Sequence, residues 1–186
     1  MGYAYRIHKQ EAAYFLTFTI VDWVDIFSRN SYKKFLCESL NYCVQQKSLR
    51  IFSYVIMTNH VHLICRTESF PLSGFVRDFK KFTSGNLIKL ISTENESRRK
   101  WMLEIFSKHG SMNSLNEKFQ LWQNNSHAKE VYGQKFTLQK INYIHANPVR
   151  SGFVNSPEQY PYSSAQDYAG KKGPVDVVVI NLHSLM

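Results

Sequence analysis

The first third of the chain changes its hydrophobic periodicity in a regular order. Residues 14–21 alternate apolar and polar positions and are rich in aromatic and β-branched side chains, which predicts a strand. Residues 31–46 place apolar side chains at helical spacing, and Ser31 or Asn30 can cap the first turn. Two more predicted strands, 51–57 and 61–66, are joined through Thr58-Asn59 by a tight hairpin.

The second predicted helix opens at Pro71 and carries an apolar stripe as far as Ile91. The stretch 94–118 is polar at both ends around an apolar centre, so it predicts an inserted short helix between loops.

The last part of the chain predicts a short strand at 119–123 and a helix at 136–146 that is halted by Asn147-Pro148. From about 156 onwards, turn residues predominate, and 175–180 is a candidate last strand. Strand, helix, hairpin, helix and strand in this order predict one α+β domain over residues 1–186. Its simplest form is a ferredoxin-like antiparallel sheet with helices mainly on one face.

Composition and charge limit the classes of function. With 44% hydrophobic and 15% aromatic residues in 186, the chain can bury a core and is not a disordered protein. Lys and Arg number 23 against 14 Asp and Glu, and a net charge of +9 favours a polyanionic partner, although solubility alone would explain the same balance. Three cysteines without a paired motif indicate a reducing, cytoplasmic setting, and no apolar run is long enough for a membrane helix.

His60-Val61-His62 is the clearest candidate for metal chemistry. Two histidines at i and i+2 on a strand share one face, so both imidazoles can bind one divalent ion. A third ligand has to come from elsewhere, and a neighbouring helix is the natural source. Taken alone, such a pair is more often two hydrogen-bonded histidines of a sheet.

Four segments in the same order resemble motifs of the REP-associated tyrosine transposases and their IS200-like insertion-sequence relatives. They are the histidine motif at 54–64, a basic helix at 79–84, the segment Tyr-Ile-His-Ala-Asn-Pro-Val-Arg-Ser-Gly-Phe-Val at 143–154, and the tail at 160–165. The four span most of the chain, which makes chance similarity a poor explanation.

The resemblance implies a small dimeric ferredoxin-like domain of the HUH-nuclease type, which recognises hairpin-forming DNA and cuts a single strand beside the hairpin. In this family a tyrosine attacks a phosphodiester and forms a 5′-phosphotyrosine, which frees a 3′-hydroxyl. Mg²⁺ or Mn²⁺ would polarise the phosphate. Histidine ligands suit Mn²⁺ better on softness.

The sequence departs from the family at the nucleophile. The tyrosine normally follows the Trp122-Gln123 segment, and His127 occupies its expected position. Tyr132, predicted to lie on the same helix as His127, is the first candidate to replace it. Tyr143 is the second, because packing beneath the sheet would also explain its presence.

His127 and Glu130 are candidate metal ligands, since one helical turn would separate them; a solvated surface helix would show the same residues. The candidate DNA-binding residues lie on the polar side of the second helix: Arg77, Lys80, Lys81 and Lys89. An ordinary solvated face has the same spacing.

Three functions therefore compete. The first is an endonuclease and strand-transfer enzyme that acts on single-stranded or hairpin DNA through a divalent ion and a tyrosine. The second is a degenerate or domesticated hairpin-binding module without the nucleophile. The third is hydrolytic cleavage by metal-activated water, with His127 as general base or ligand.

Overall fold

The computed structural model describes residues 7–112, 118–124 and 126–181. A four-stranded antiparallel sheet lies at its centre, with the strand order β2-β3-β1-β4. The strands are β1 (Tyr14–Thr19), β2 (Leu49–Ile56), β3 (His60–Thr67) and β4 (His127–Glu130). As the alternation predicts, β2 and β3 form a hairpin, and the Met57 amide donates to the His60 carbonyl at 2.8 Å across its turn.

Helices follow β1 and β3 along the chain, and two more follow β4. They are α1 (Asn30–Gln46), α2 (Leu72–Thr93), α3 (Arg99–Ser111), α4 (Gln134–Arg150) and the short α5 (Ala165–Tyr168). Single 3₁₀ turns occur at Val21–Trp23, Ile26–Ser28 and Pro157–Gln159. The order β1-α1-β2-β3-α2, followed by β4 on the far side of β1, confirms the predicted ferredoxin-like α+β arrangement. None of the helices in the described part of the chain is both long and apolar enough to cross a lipid bilayer.

The two faces of the sheet are covered by different helices. Phe18 and Phe15 lie three residues apart on β1 and therefore point to opposite sides. Phe18 packs against Phe79 of α2 at 5.7 Å between ring centroids, whereas Phe15 meets Tyr143 of α4 at 5.9 Å. Since α1 packs against α2, these two helices share the first face, which we call the core face. We call the opposite face, covered by α4, the open face.

The strand β4 begins eight residues beyond the start of the short strand predicted at 119–123. Residues 119–123 form only an isolated bridge between Trp122 and Ile20, and β4 at 127–130 forms the edge of the sheet instead. The sequence His-Ala-Lys-Glu has no strong β-propensity, so pairing with β1 and not local preference makes it a strand. The prediction of a helix through His127 and Tyr132 is therefore wrong.

Two further boundaries differ from the sequence prediction. α4 continues through Pro148 to Arg150 and does not stop at residue 146. Proline removes one backbone hydrogen bond, and in the last turn little helix remains to be disrupted. Residues 175–180 do not form a strand, although the Val178 amide donates to the Ile51 carbonyl at 2.8 Å.

Candidate active site

His60 lies on the open face with one ring nitrogen already committed. Its Nδ1 is 2.7 Å from the Asn59 Oδ1 atom, and the Asn59 amide nitrogen donates to the Trp23 carbonyl at 3.2 Å. The second bond fixes which end of the amide faces the ring, so His60 Nδ1 must be the donor. The lone pair of a neutral His60 is therefore on Nε2.

His62 is held in the same manner by the neighbouring strand. The Thr17 hydroxyl lies 2.9 Å from His62 Nδ1. When Nδ1 carries the proton and donates to the Thr17 oxygen, the lone pair that can bind a ligand is on Nε2. Phe15 stacks on the imidazole with 5.2 Å between centroids, and only 6% of His62 is exposed. The His60 and His62 rings lie 4.7 Å apart.

Both imidazoles are neutral at physiological pH. Burial lowers the pKa of His60, and it is the main cause that lowers the pKa of His62 to about 3. The positive charges of Lys140 and Arg150, together with His60, add to the effect on the His62 pKa. Neutral imidazole is the form that binds metal ions, so the pair has the protonation state that a metal site requires.

α4 brings Tyr143, and not Tyr132, against the histidine pair. The Tyr143 ring lies 5.4 Å from His62 and is 39% exposed. Tyr132 lies in the connection between β4 and α4, is 70% exposed, and stacks on Phe136 at 5.9 Å.

The strand geometry separates His127 from Glu130. His127 lies opposite Thr17 on β1, which in turn lies opposite His62, so His127 is on the open face two strands from His62. Glu130 lies opposite Tyr14 on the core side of the sheet and pairs with Lys9 at 3.0 Å. The helical turn that was expected to unite the two as ligands does not exist. In the described ranges no three His, Cys, Asp or Glu residues cluster in a way that could hold a metal ion.

The predicted DNA-binding residues of α2 lie on the other side of the molecule from the histidine pair. Lys80 is half-buried, donates to the Gln123 carbonyl at 2.6 Å and to the Ser126 hydroxyl at 3.1 Å, and desolvation lowers its pKa to about 8. Arg77 pairs with Asp78 at 2.9 Å. Lys81 and Lys89 are exposed. Because α2 covers the core face, none of these cations can touch a phosphate at His62.

Several residues that contact the histidines or Tyr143 were not predicted from the sequence. Thr17 and Asn59 orient the imidazoles, and Lys140 and Arg150 flank Tyr143. The alternation of β1 puts Thr17 and Phe15 on one face and so contained part of this signal. Lys140 precedes Tyr143 by three residues, the spacing of neighbours on a helix surface.

Residues 9–109 match the family model described as IS200-like transposase. Among solved structures, the chain is similar to a REP-associated tyrosine transposase bound to a REP hairpin. The TM-score is 0.64 at 18% identity, over 98% of this chain and 96% of that one. A protein from Deinococcus radiodurans R1 described as a transposase has a TM-score of 0.46 at 18% identity, over 77% and 92% of the two chains. No curated protein sequence matches significantly. At these identities the similarity to the REP-associated structure establishes the fold.

Proposed function

Because the chain belongs to the IS200-like transposase family, we propose that it cleaves and rejoins single-stranded or hairpin DNA through a divalent metal ion and a covalent phosphotyrosine. One arrangement carries the proposal. Two neutral imidazoles with their Nδ1 atoms already bonded lie within 4.7 Å of each other, and a partly exposed tyrosine packs against one of them.

The donor chemistry fits a divalent ion. His60 and His62 would hold it through their Nε2 atoms, and the Asn59 and Thr17 oxygens would orient the rings, as outer partners commonly do at metal sites. When bound, Mg²⁺ or Mn²⁺ polarises the scissile phosphate and stabilises the charge that grows on its oxygens. Two imidazoles favour Mn²⁺ of the two.

We assign the nucleophile to Tyr143, which reverses the order that the sequence suggested. Its ring is in contact with His62, whereas Tyr132 stacks on Phe136 and contacts neither histidine. The Tyr143 oxygen would form a bond to phosphorus as the P–O3′ bond breaks. The phenol loses its proton to solvent, and the departing 3′ oxygen gains one, so a 5′-phosphotyrosine and a 3′-hydroxyl result.

The duplex stem of a hairpin would bind elsewhere than the strand being cut. Arg77, Lys80 and Lys81 line a groove of about 830 Å³ between α2 and a wall formed by residues 118–122, Asn124 and Ser126, on the side opposite the histidines. We assign this groove to phosphates of the stem, with Lys89 further along the same helix. The similar solved structure holds a REP hairpin, which supports a hairpin substrate. By family resemblance we also propose a homodimer, and we place it in the cytoplasm, where three free cysteines stay reduced.

A hairpin-binding module without cleavage is the second candidate. It is favoured by His127 at the position where the family has its tyrosine, and by the two-histidine composition of the candidate metal site within the described residues. Hydrolysis by metal-activated water is a third, because His127 lies on the same face as His62.

Denaturing gel electrophoresis separates these functions. The protein is incubated with Mn²⁺ and labelled single-stranded DNA that carries a hairpin, and wild type is compared with Tyr143→Phe, Tyr132→Phe and His62→Ala. Tyr143→Phe keeps the ring that packs on His62, so it removes only the hydroxyl. We expect a covalent adduct in wild type and Tyr132→Phe that is lost in the other two. Cleavage without an adduct would support hydrolysis, and binding without cleavage would support the binding module.

A further inference from the structure

Three cations lie over Tyr143 or over neighbouring aromatic rings on the open face. The Lys140 ammonium lies 4.8 Å from the Phe15 ring centroid and 5.4 Å from that of Tyr143. The Arg150 guanidinium lies 4.6 Å from the Tyr143 centroid, and its Nη2 donates to the Tyr143 carbonyl at 3.0 Å. Lys129 of β4 reaches the Phe136 ring at 4.9 Å. All three cations therefore lie over aromatic rings, and two of them, Lys140 and Arg150, lie over Tyr143 itself.

Within the described part of the chain, none of these three cations forms an ion pair. By contrast, Arg29, Arg98, Arg77 and Lys47 each have a carboxylate within 4.0 Å. Burial and the charge of Lys129 lower the pKa of Lys140, as expected for like charges held together without a counter-charge. A bound anion would relieve this repulsion.

Exposed aromatic side chains extend the same surface at both ends. Tyr132 is 70% exposed and stacks on Phe136, next to Lys129. Trp23 is 59% exposed and lies 6.1 Å from His60. Cations that track a backbone, together with open aromatic faces on which bases stack, are the features by which proteins bind single strands. A duplex would hide its base faces and could not use Tyr132 or Trp23.

We infer that Lys129, Lys140 and Arg150 form a phosphate-binding track for single-stranded DNA that leads past the histidine pair, with Tyr132 and Trp23 as stacking positions at its two ends. The inference rests on the proposed function, because it takes the single strand bound by these cations to be the strand that the protein cuts. It gives Tyr132 a role in binding instead of chemistry, and it assigns the single strand and the stem to opposite sides of the sheet.

The salt dependence of binding tests the track. Fluorescence anisotropy measures the affinity for a labelled oligothymidine over a series of salt concentrations, in EDTA so that no cleavage occurs. Each phosphate contact to a single strand contributes roughly 0.7 to the slope of log affinity against log salt. The double variant Lys129→Gln, Lys140→Gln should therefore reduce the slope by about 1.4. The matched control Lys34→Gln, Lys100→Gln removes two exposed cations from α1 and α3 and should leave the slope unchanged.

Aromatic variants give a second measurement. Tyr132→Ala should weaken binding by about 10-fold at every salt concentration without changing the slope. Tyr132→Phe should bind as wild type, because it keeps the stacking ring. Equal slopes for the two double variants, or tighter binding of a blunt duplex than of oligothymidine, would overturn the track.

The outcome is independent of cleavage. If the slope falls as expected but no variant forms an adduct with Mn²⁺, the track stands and the proposed chemistry fails. If wild type forms the adduct and the double lysine variant has the wild-type slope, the chemistry stands and the track is wrong.

Discussion

The hydrogen bond between Thr17 and His62 allows the metal-binding hypothesis to be tested by removal of a single oxygen. Thr17→Val keeps the shape of the side chain and takes away the hydroxyl that meets His62 Nδ1 at 2.9 Å. His62 is only 6% exposed, so water cannot readily replace the lost partner. An unsatisfied buried group of this kind costs about 1–2 kcal/mol, which should appear as a lower free energy of unfolding of the metal-free protein.

The larger expected effect of Thr17→Val is on metal affinity. Loss of an outer partner of a metal-binding histidine typically weakens binding by roughly 10- to 100-fold, or about 1.4–2.7 kcal/mol. Isothermal titration with Mn²⁺ measures this directly. Thr19→Val is the matched control, because Thr19 is two residues along β1, is 7% exposed and lies beside His60 without bonding either imidazole. Equal Mn²⁺ affinities of the two variants would refute the orienting role of Thr17.

Three further predictions concern stability. His145 is buried against the hydroxyls of Ser53 and Ser164, and burial lowers its pKa to about 4. The folded state therefore binds fewer protons than the unfolded state, and stability is lost as the pH falls from 6.5 towards 4. Between pH 7 and pH 4, the free energy of unfolding measured in urea should fall by about 3 kcal/mol less in His145→Gln than in wild type. An equal fall in the two proteins would contradict this. Gly110→Ala should lower the melting temperature, at a cost of roughly 1–3 kcal/mol, because its Cβ would collide with the Lys118 backbone. Gly85→Ala should instead raise the free energy of unfolding by about 0.5–1 kcal/mol, because the added Cβ lies in open space on α2. If both glycine variants changed stability in the same direction, this reasoning would be wrong. Lys80→Ala should lower the free energy of unfolding by about 2 kcal/mol in chemical denaturation, since it leaves the Gln123 carbonyl without its partner. Unchanged stability would mean that the half-buried Lys80 ammonium is dispensable.

Local pattern was sufficient for the elements whose own residues determine their structure. The alternation of β1 and the apolar stripe of α2 each predict the observed element, and the Thr58-Asn59 turn predicts the hairpin. β4 could not be predicted, because four residues without β-propensity become a strand only through pairing with β1.

The candidate site divides in the same way. His60 and His62 follow from strand geometry, since the spacing i and i+2 places both on one face of any strand. Most of the residues that contact His60 and His62 come from distant segments of the chain. The hydrophobic periodicity of a helix does not indicate which face of the sheet that helix will cover. The ranking of Tyr132 over Tyr143, and the pairing of His127 with Glu130 as metal ligands, both depended on that information.

Because the two faces of the sheet are separate, substitutions on one face and on the other have different consequences during evolution. Side chains of β1 and β3 that point to the core face, among them Leu16, Phe18, Val61 and Leu63, are fully buried and provide the packing on which folding depends. The position of His127 is exposed on an edge strand, on the opposite face. A change there alters the chemistry available on the open face and removes no core contact. Selection on folding therefore leaves the reactive group of this architecture nearly free to change, to move along the chain, or to disappear.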